Sequence, residues 1–418
     1  MKQQKHISDI AHICKNRVLV YSLLFFTAIS FLLVFSIYTS PLYRQYCGWD
    51  SSFFMTVGRA MQKGKLPYQD FFDCKGPIIF ILNWCGQLVI SGRLGIFLLQ
   101  IPFLWITLIL IYETVLLFQR PYAAIVSILF FFFILASTME GGNLTEEYCL
   151  PFIALSLFLT MRHLQQQCTA HPPKFAVIHG ICFGFCAFCR ITNGITIAGC
   201  VLLLSCVLLI NRQWKSLWQN ALGFIGGLLI VALPLCIYFA TKGLLFDMLY
   251  CTFIFPYFYA VEGSATRTAS SWQELFYKMT PVLICLAAGF YNLFFQKNKF
   301  LTTLLFLLTA FNCGILFLGK SYFHYFTILA PLAAISLALF PISREFFGSL
   351  KNRAAKVGLL IVTVMFLSPC LYQYYNSGIT VARDNYRLLR YANNGSRFNE
   401  MQAFSANIPE NERESRCV

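Results

Sequence analysis

Apolar residues recur in long runs along this chain, each run broken by a short polar cluster. Stretches of spanning length lie near 18–39, 94–118, 121–138, 147–164, 175–191, 194–211, 220–241, 279–296, 299–318, 322–342 and 355–373. A bilayer core is crossed by about 20 apolar residues in a helix, so the pattern predicts about eleven transmembrane helices. Pro151, Pro234 and Pro331 fall inside these runs and are expected to kink them. The stretch 76–91 is apolar too, but short and flanked by loop residues. Between the first two runs the pattern changes. In SSFFMTVGRAMQKG, the residues Phe53, Phe54, Val57, Ala60 and Met61 share one helical face, while Arg59 and Lys63 point elsewhere. That pattern predicts a helix lying at the membrane surface. Ser51 and Ser52 are its expected N-cap, Gly64 its stop, and Asp50 sits at its start.

Composition supports this reading. The 418 residues are 58% hydrophobic and 12% charged, against about 25% charged in a soluble domain. The expected fold class is an all-α polytopic membrane protein. MKQQKHISDIAHICKNR is polar and basic, and the run after it is long enough to span, so the start does not read as a cleaved signal. Among 17 cysteines, Cys182, Cys186 and Cys189 share one helical face and read as small apolar fillers of a helix contact. Cys47 and Cys74 share one outer loop and are candidates for pairing. The net charge of +15 is spread over loops flanking the runs, which points to lipid headgroups and topology, not to nucleic acid.

Orientation follows from the loops. With the N-terminus inside, the short basic segments 162–174, 212–215 and 297–299 are inside, as the positive-inside rule requires. Fourteen of the 17 acids then lie outside, and an odd number of spans leaves the C-terminus outside. The expected organisation is a cytoplasmic segment 1–17, a transmembrane domain 18–373 whose first outer loop is 40–93, and an outer-face tail 374–418. No internal repeat is visible.

The outer loops carry the candidate chemistry. KLPYQDFFDCKGP is stiffened by Pro67 and Pro77, and Gly76 is expected to permit an unusual turn. It groups Asp70, Asp73 and Lys75 close to Asp50 and Arg59. TMEGGNLTEEYCLP adds Glu140, Glu146 and Glu147, with Asn143 and Glu146 at capping-box spacing for the next helix. Arg190 ends a span, and GKSYFHYF sets Lys320, Tyr322, His324 and Tyr325 at a further outer rim. The segment 242–278 reads as a flap over a groove. Ionisable groups at membrane depth point to function, whereas self-compensating loop charges and a snorkelling arginine are the structural alternatives.

GWDSSFFMTVGRAMQKGKLPYQDFFDCKGP resembles the first outer loop of bacterial GT-C fold glycosyltransferases. It is most similar to the family 39 group related to protein O-mannosyltransferases and the lipid A aminoarabinose transferase. GGNLTEEYCLPF, GFCAFCRITNG and SYFHYFTILAPLAAI extend the likeness in the same order. The resemblance implies a multi-pass enzyme of the bacterial plasma membrane. It would transfer a sugar, with inversion, from a polyprenyl-phosphate carrier to an unknown protein, glycan or lipid acceptor outside. Asp50 would be the general base or position the acceptor, with Asp70 a second catalytic candidate. Lys75 would contact the carrier phosphate and Asp73 would orient it. Arg190, His324 and Tyr325 are further donor contacts, and Asn143, Glu146 and Glu147 complete the candidate set. Asp-x-Lys-Gly-Pro stands where the aminoarabinose enzyme has Glu-Lys-Pro-Pro. No cofactor is required, although the wider fold class leaves a divalent cation open. Two other readings stand beside the enzyme, a flippase for lipid-linked glycans and an inactive lipid-sugar-binding relative. Relatives of this kind often continue into a larger outer region, so the short tail is expected to be truncated or minimal.

Overall fold

A computed structural model describes residues 2–43, 48–166, 170–265, 280–291, 299–316, 322–339 and 379–387. Cys47, Lys320, the expected span 355–373, residues 266–278 of the expected flap and most of the tail lie outside the described residues, whereas 242–265 of the flap is described and is largely helical. Among those described, every regular element is helical: α1 (Lys2–Phe35), α2 (Trp49–Gln62), α3 (Pro77–Val89), α4 (Arg93–Leu116), α5 (Pro121–Thr138), α6 (Thr145–Gln166), α7 (Pro173–Cys189), α8 (Ile195–Ile210), α9 (Trp214–Thr241), α10 (Leu245–Leu249) and α11 (Phe255–Ala265). The helices Thr280–Tyr291, Lys299–Leu316 and Ala330–Ala338 follow.

Five helical stretches among the described residues are long and apolar enough to cross a membrane: Arg17–Phe35, Arg93–Leu116, Pro121–Thr138, Ile191–Ile210 and Trp214–Thr241. The chain is thus a helical membrane protein. Of the other expected spans, 147–164 falls in α6, which carries two acids in its first turn, and 175–191 falls in α7, of 17 residues. Pro151 and Pro234 sit inside α6 and α9. Pro331 instead falls at the start of Ala330–Ala338, where its missing N–H leaves no helical bond unmade.

Lipid offers little hydrophobic drive for helix association, so close packing has to supply it. A Cβ on Gly180 of α7 would lie 2.1 Å from Phe224 O of α9, and one on Gly227 would lie 2.0 Å from Val177 O. These glycines let the two backbones touch. The far face of α9 stays exposed through Trp218, Leu222, Leu229, Ile230 and Ile237, as a lipid-facing helix requires. The opposite face of α7 carries Cys182, Cys186 and Cys189, all buried in the central apolar core together with Cys149 of α6.

Helix α2 departs from a purely interfacial reading. Its apolar face is covered by protein: Phe54 and Val57 are buried against Ile79 and Phe80 of α3. Gly58 approaches the Asn83 backbone so closely that a Cβ would meet it at 2.7 Å. Gly48 occupies the N-cap position without a side-chain bond, while Ser51 is turned into the core, contrary to the expected serine cap. Gly64 does end the helix, its N–H meeting Met61 O at 3.1 Å with φ +81°.

Candidate active site at one rim of the bundle

The C-terminal ends of α1, α5 and α7, the start of α6 and the whole of α2 meet at one end of the bundle. A cavity of about 640 Å³ opens there, lined by the ends of α1 and α5, the start of α2 and the adjoining loops; its wall includes Asp50, Lys75, Glu140, Tyr259, His324 and Tyr325.

Lys75 is held from below by its own loop. The turn 65–70 is closed by Asp70, which accepts the Leu66 N–H at 2.8 Å and pairs with Lys65 at 3.2 Å. Those two contacts, the backbone donor first, hold the Asp70 carboxyl below its usual range. Tyr68 adopts φ +69° and donates its hydroxyl to Lys75 O at 2.9 Å. Gly76 then docks on α7: its N–H donates to Cys189 O at 2.9 Å, and a Cβ would fall 2.0 Å from Phe188 O. Gly76 itself is extended, with φ −73°. Close approach, not an unusual turn, is what requires glycine there.

The Lys75 ammonium lies 3.3 Å from Asp50 and 3.5 Å from Asp73, with the Phe54 ring 5.5 Å below it. Its side chain is 16% exposed. Burial alone would favour the neutral amine, but the carboxylates of Asp73 and Asp50 reverse this and raise its pKa above the usual lysine range. Asp73 is fixed in turn by the Cys74 N–H at 2.6 Å. Asp50, in the first turn of α2, is 39% exposed and faces the cavity.

The opposite wall comes from the second outer loop. Glu140, Gly141, Gly142 and Asn143 all have positive φ, between 45° and 92°. A Cβ on Gly141 would strike the Tyr38 ring at 2.3 Å, and one on Gly142 would strike Ser36 Oγ at 2.1 Å. This left-handed turn presents Glu140 to His324, whose Nδ1 lies 2.8 Å from Oε2 and whose backbone N–H donates to Oε1 at 3.3 Å. Tyr322 stacks on the His324 ring at 5.7 Å and 10°.

Asn143 does not cap α6. It is fully buried and ties three helices together: its Nδ2 donates to Ser51 Oγ at 3.2 Å and Asn83 Oδ1 at 3.0 Å, and its Oδ1 accepts the Tyr148 hydroxyl at 2.8 Å. The reach back to the helix start belongs to Glu147, not Glu146, since Glu147 accepts the Leu144 N–H at 3.2 Å. Its other oxygen takes Gln100 Nε2 at 2.9 Å, and Gln100 Oε1 accepts the Thr39 hydroxyl at 2.6 Å. Glu146 is buried and pairs with Arg190 at 3.0 Å. The Arg190 guanidinium lies 3.4 Å from the Tyr325 ring centroid. Arg190 is therefore placed behind Tyr325, as its support, and does not line the cavity.

The structure thus brings Asp50, Asp73, Lys75, His324 and Tyr325 to one place, sets Asn143, Glu146, Glu147 and Arg190 in the layer behind them, and leaves Asp70 in a turn facing Lys65. Sequence reasoning missed the pairing role of Glu140. It also missed residues 379–387, a helical stretch that adds Val381, Asp384 and Asn385 to the wall. Asn385 Nδ2 donates to Val34 O at the end of α1, at 3.1 Å. The signal for Glu140 was the Glu-Gly-Gly sequence, whose two glycines announce a turn that aims the preceding side chain.

Over residues 10–373 the chain matches the competence-induced protein Ccs4 N-terminal domain. It belongs to that family. This match does not show glycosyltransferase family 39, which the loop motifs led us to expect. No curated protein matches the chain. Among solved structures it is similar to the Archaeoglobus fulgidus oligosaccharyltransferase, crystallised with a tethered acceptor peptide, at 12% identity and a TM-score of 0.47. That alignment covers 86% of this chain and 55% of the other, so this Ccs4-family chain spans about half the length of that protein.

Proposed function

We propose that this Ccs4-family protein is a GT-C type membrane glycosyltransferase. In this reading it moves a sugar from a polyprenyl-phosphate carrier to an acceptor at the outer face of the membrane. The observation that carries the proposal is the pair Asp50 and Lys75 in the wall of the rim cavity, with Asp73 beside Lys75: a half-exposed carboxylate directly beside a buried, charged amine. Transfer with inversion needs these two functions side by side. Asp50 takes the proton of the acceptor hydroxyl as its oxygen attacks the anomeric carbon. The bond from that carbon to the phosphate oxygen breaks, and its electron pair leaves on the carrier phosphate. Lys75 compensates the charge, and no proton donor is needed because phosphate is already a good leaving group. An incoming phosphate also competes with Asp50 for Lys75, so donor binding frees the base for the acceptor. His324, fixed by Glu140, and Tyr325, backed by Arg190, face the sugar.

No step is routed through a divalent cation. Among the described residues no three His, Cys, Asp or Glu side chains are grouped to hold one, and Asp50 and Glu140 are engaged by Lys75 and His324. The test is to supply the purified protein in lipid with a panel of polyprenyl-phosphate sugars and candidate acceptors. Release of polyprenyl phosphate with formation of an inverted product supports the proposal. Bound donor that is never turned over makes the protein a lipid-sugar-binding relative instead.

A further inference from the structure

At the end of the bundle away from the rim, α7, α8 and α9 enclose a second cavity of about 240 Å³. Eleven residues of helix and cap separate His179 in its wall from Arg190, roughly 16 Å at 1.5 Å per residue, so it is a separate site. Its wall is largely apolar, from Ala176, Leu204, Leu208 and Phe224, but it includes two imidazoles. His171 and His179 are 3% and 1% exposed. One nitrogen of each is engaged: His171 Nδ1 with Asn220 Oδ1 at 2.6 Å, and His179 Nδ1 with Ser156 Oγ at 2.8 Å. The Nε2 atoms of both are buried without a hydrogen-bond partner.

The tautomer of His171 follows from its neighbour. Asn220 Nδ2 donates to His171 O at 2.9 Å and to Ser216 O at 2.7 Å, which leaves its Oδ1 as the acceptor facing His171. His171 Nδ1 therefore carries the hydrogen, and in the neutral ring Nε2 presents a lone pair. A buried polar group left unmet costs about 1–3 kcal/mol, and two of them line one cavity. The helix ends around it add charge: Lys174 in the first turn of α7, Lys215 in the first turn of α9 and Arg212 between α8 and α9 are all exposed. An occupant that answers all three features has hydrogen-bond donors, a negative charge and hydrocarbon.

We propose that this cavity binds the head of an anionic phospholipid that carries free hydroxyls. One hydroxyl donates to Nε2 of His171 and another meets Nε2 of His179, and the phosphate faces Lys174, Arg212 and Lys215. The acyl chains follow the exposed apolar face of α9 at Trp218, Leu222 and Ile225. Basic pockets between membrane helices recognise anionic headgroups in this way. A choline head offers no O–H or N–H and brings a cation to a basic rim.

Delipidated full-length protein in detergent, titrated with phosphatidylglycerol or phosphatidylcholine and read by native mass spectrometry, tests the site. Wild type is expected to bind phosphatidylglycerol about tenfold more tightly, the value of one to two hydrogen bonds. His171→Phe keeps a ring in place and removes the acceptor, and should bring the two lipids close to parity. Because a buried substitution can unfold the bundle, the exposed pair Lys174→Glu and Lys215→Glu is read alongside; it should weaken phosphatidylglycerol and leave phosphatidylcholine unchanged. Equal binding of both lipids by wild type overturns the proposal. So does an undiminished preference in folded His171→Phe or in the Lys174→Glu/Lys215→Glu variant.

Discussion

Lys75 holds two carboxylates within 3.5 Å while remaining largely buried. Its raised pKa has a defined consequence for stability. A cation whose folded pKa lies above its unfolded value contributes fully below the unfolded pKa, about 10.4 for lysine, and loses that contribution as pH rises through the folded value. The difference in melting temperature between wild type and Lys75→Met should therefore stay constant from about pH 6 to 9 and shrink only above roughly pH 10.4. It also follows that any alkaline fall in activity below that range arises from another group. Asp70 sits in the same loop, yet its carboxylate closes the 65–70 turn. Asp70→Asn should lower activity less than Asp50→Asn, for which the loss of a general base predicts about 10²–10⁴-fold in kcat. Steady-state transfer rates on the two variants check the ranking. The sequence placed both acids in one loop, with Asp70 much the nearer to Lys75 along the chain. Which of them faces the cavity depends on where α2 starts and how the turn folds back, and spacing does not reveal that.

At the scale of elements, the second outer loop is the most constrained piece of the site. Gly142 combines φ +92° with a Cβ position 2.1 Å from Ser36 Oγ. Gly142→Ala should destabilise the protein by at least about 1–3 kcal/mol, the usual cost of a strained backbone, and displace Glu140 from His324. Thermal melts in detergent, with donor binding beside them, measure both effects. Asn143→Ala removes the group that joins α2, α3 and α6 and leaves the Tyr148 hydroxyl and the Asn83 amide without their partner. A loss on the order of 3 kcal/mol is expected from the buried groups orphaned. The sequence marked this loop as a tight Gly-Gly turn followed by a capped helix start. It missed the cap because Asn143 and Glu146 have the right spacing for a capping box, while tertiary contacts recruit Asn143 to the core and Glu147 to the helix end. Helix α2 shows the same override: its apolar face was legible in the sequence, but lipid and α3 are equally good apolar partners for such a face.

Across the whole molecule, the apolar runs foretold a helical membrane protein, and the grouping of charges foretold that the first and second outer loops, Arg190 and the 322–325 segment share one end. The pairing of Glu140 with His324, 184 residues apart, was not legible, because it depends on how the bundle closes. Nor was the contribution of residues 379–387, whose Asn385 is fastened to the end of α1. Asn385→Ala should loosen that wall and raise KM for the acceptor several-fold, with kcat changed less; initial-rate kinetics at saturating donor distinguish the two. The central claim is that base and phosphate contact stand side by side in the rim cavity. The measurement that tests it most directly is donor binding and turnover on the same preparations of wild type, Asp50→Asn and Lys75→Ala with a polyprenyl-phosphate sugar. Asp50→Asn is predicted to bind the donor as well as wild type and to lose turnover, while Lys75→Ala loses binding by about 10- to 100-fold, the scale of a charge-assisted contact. Full turnover in Asp50→Asn, or undiminished donor binding in Lys75→Ala, would contradict the account.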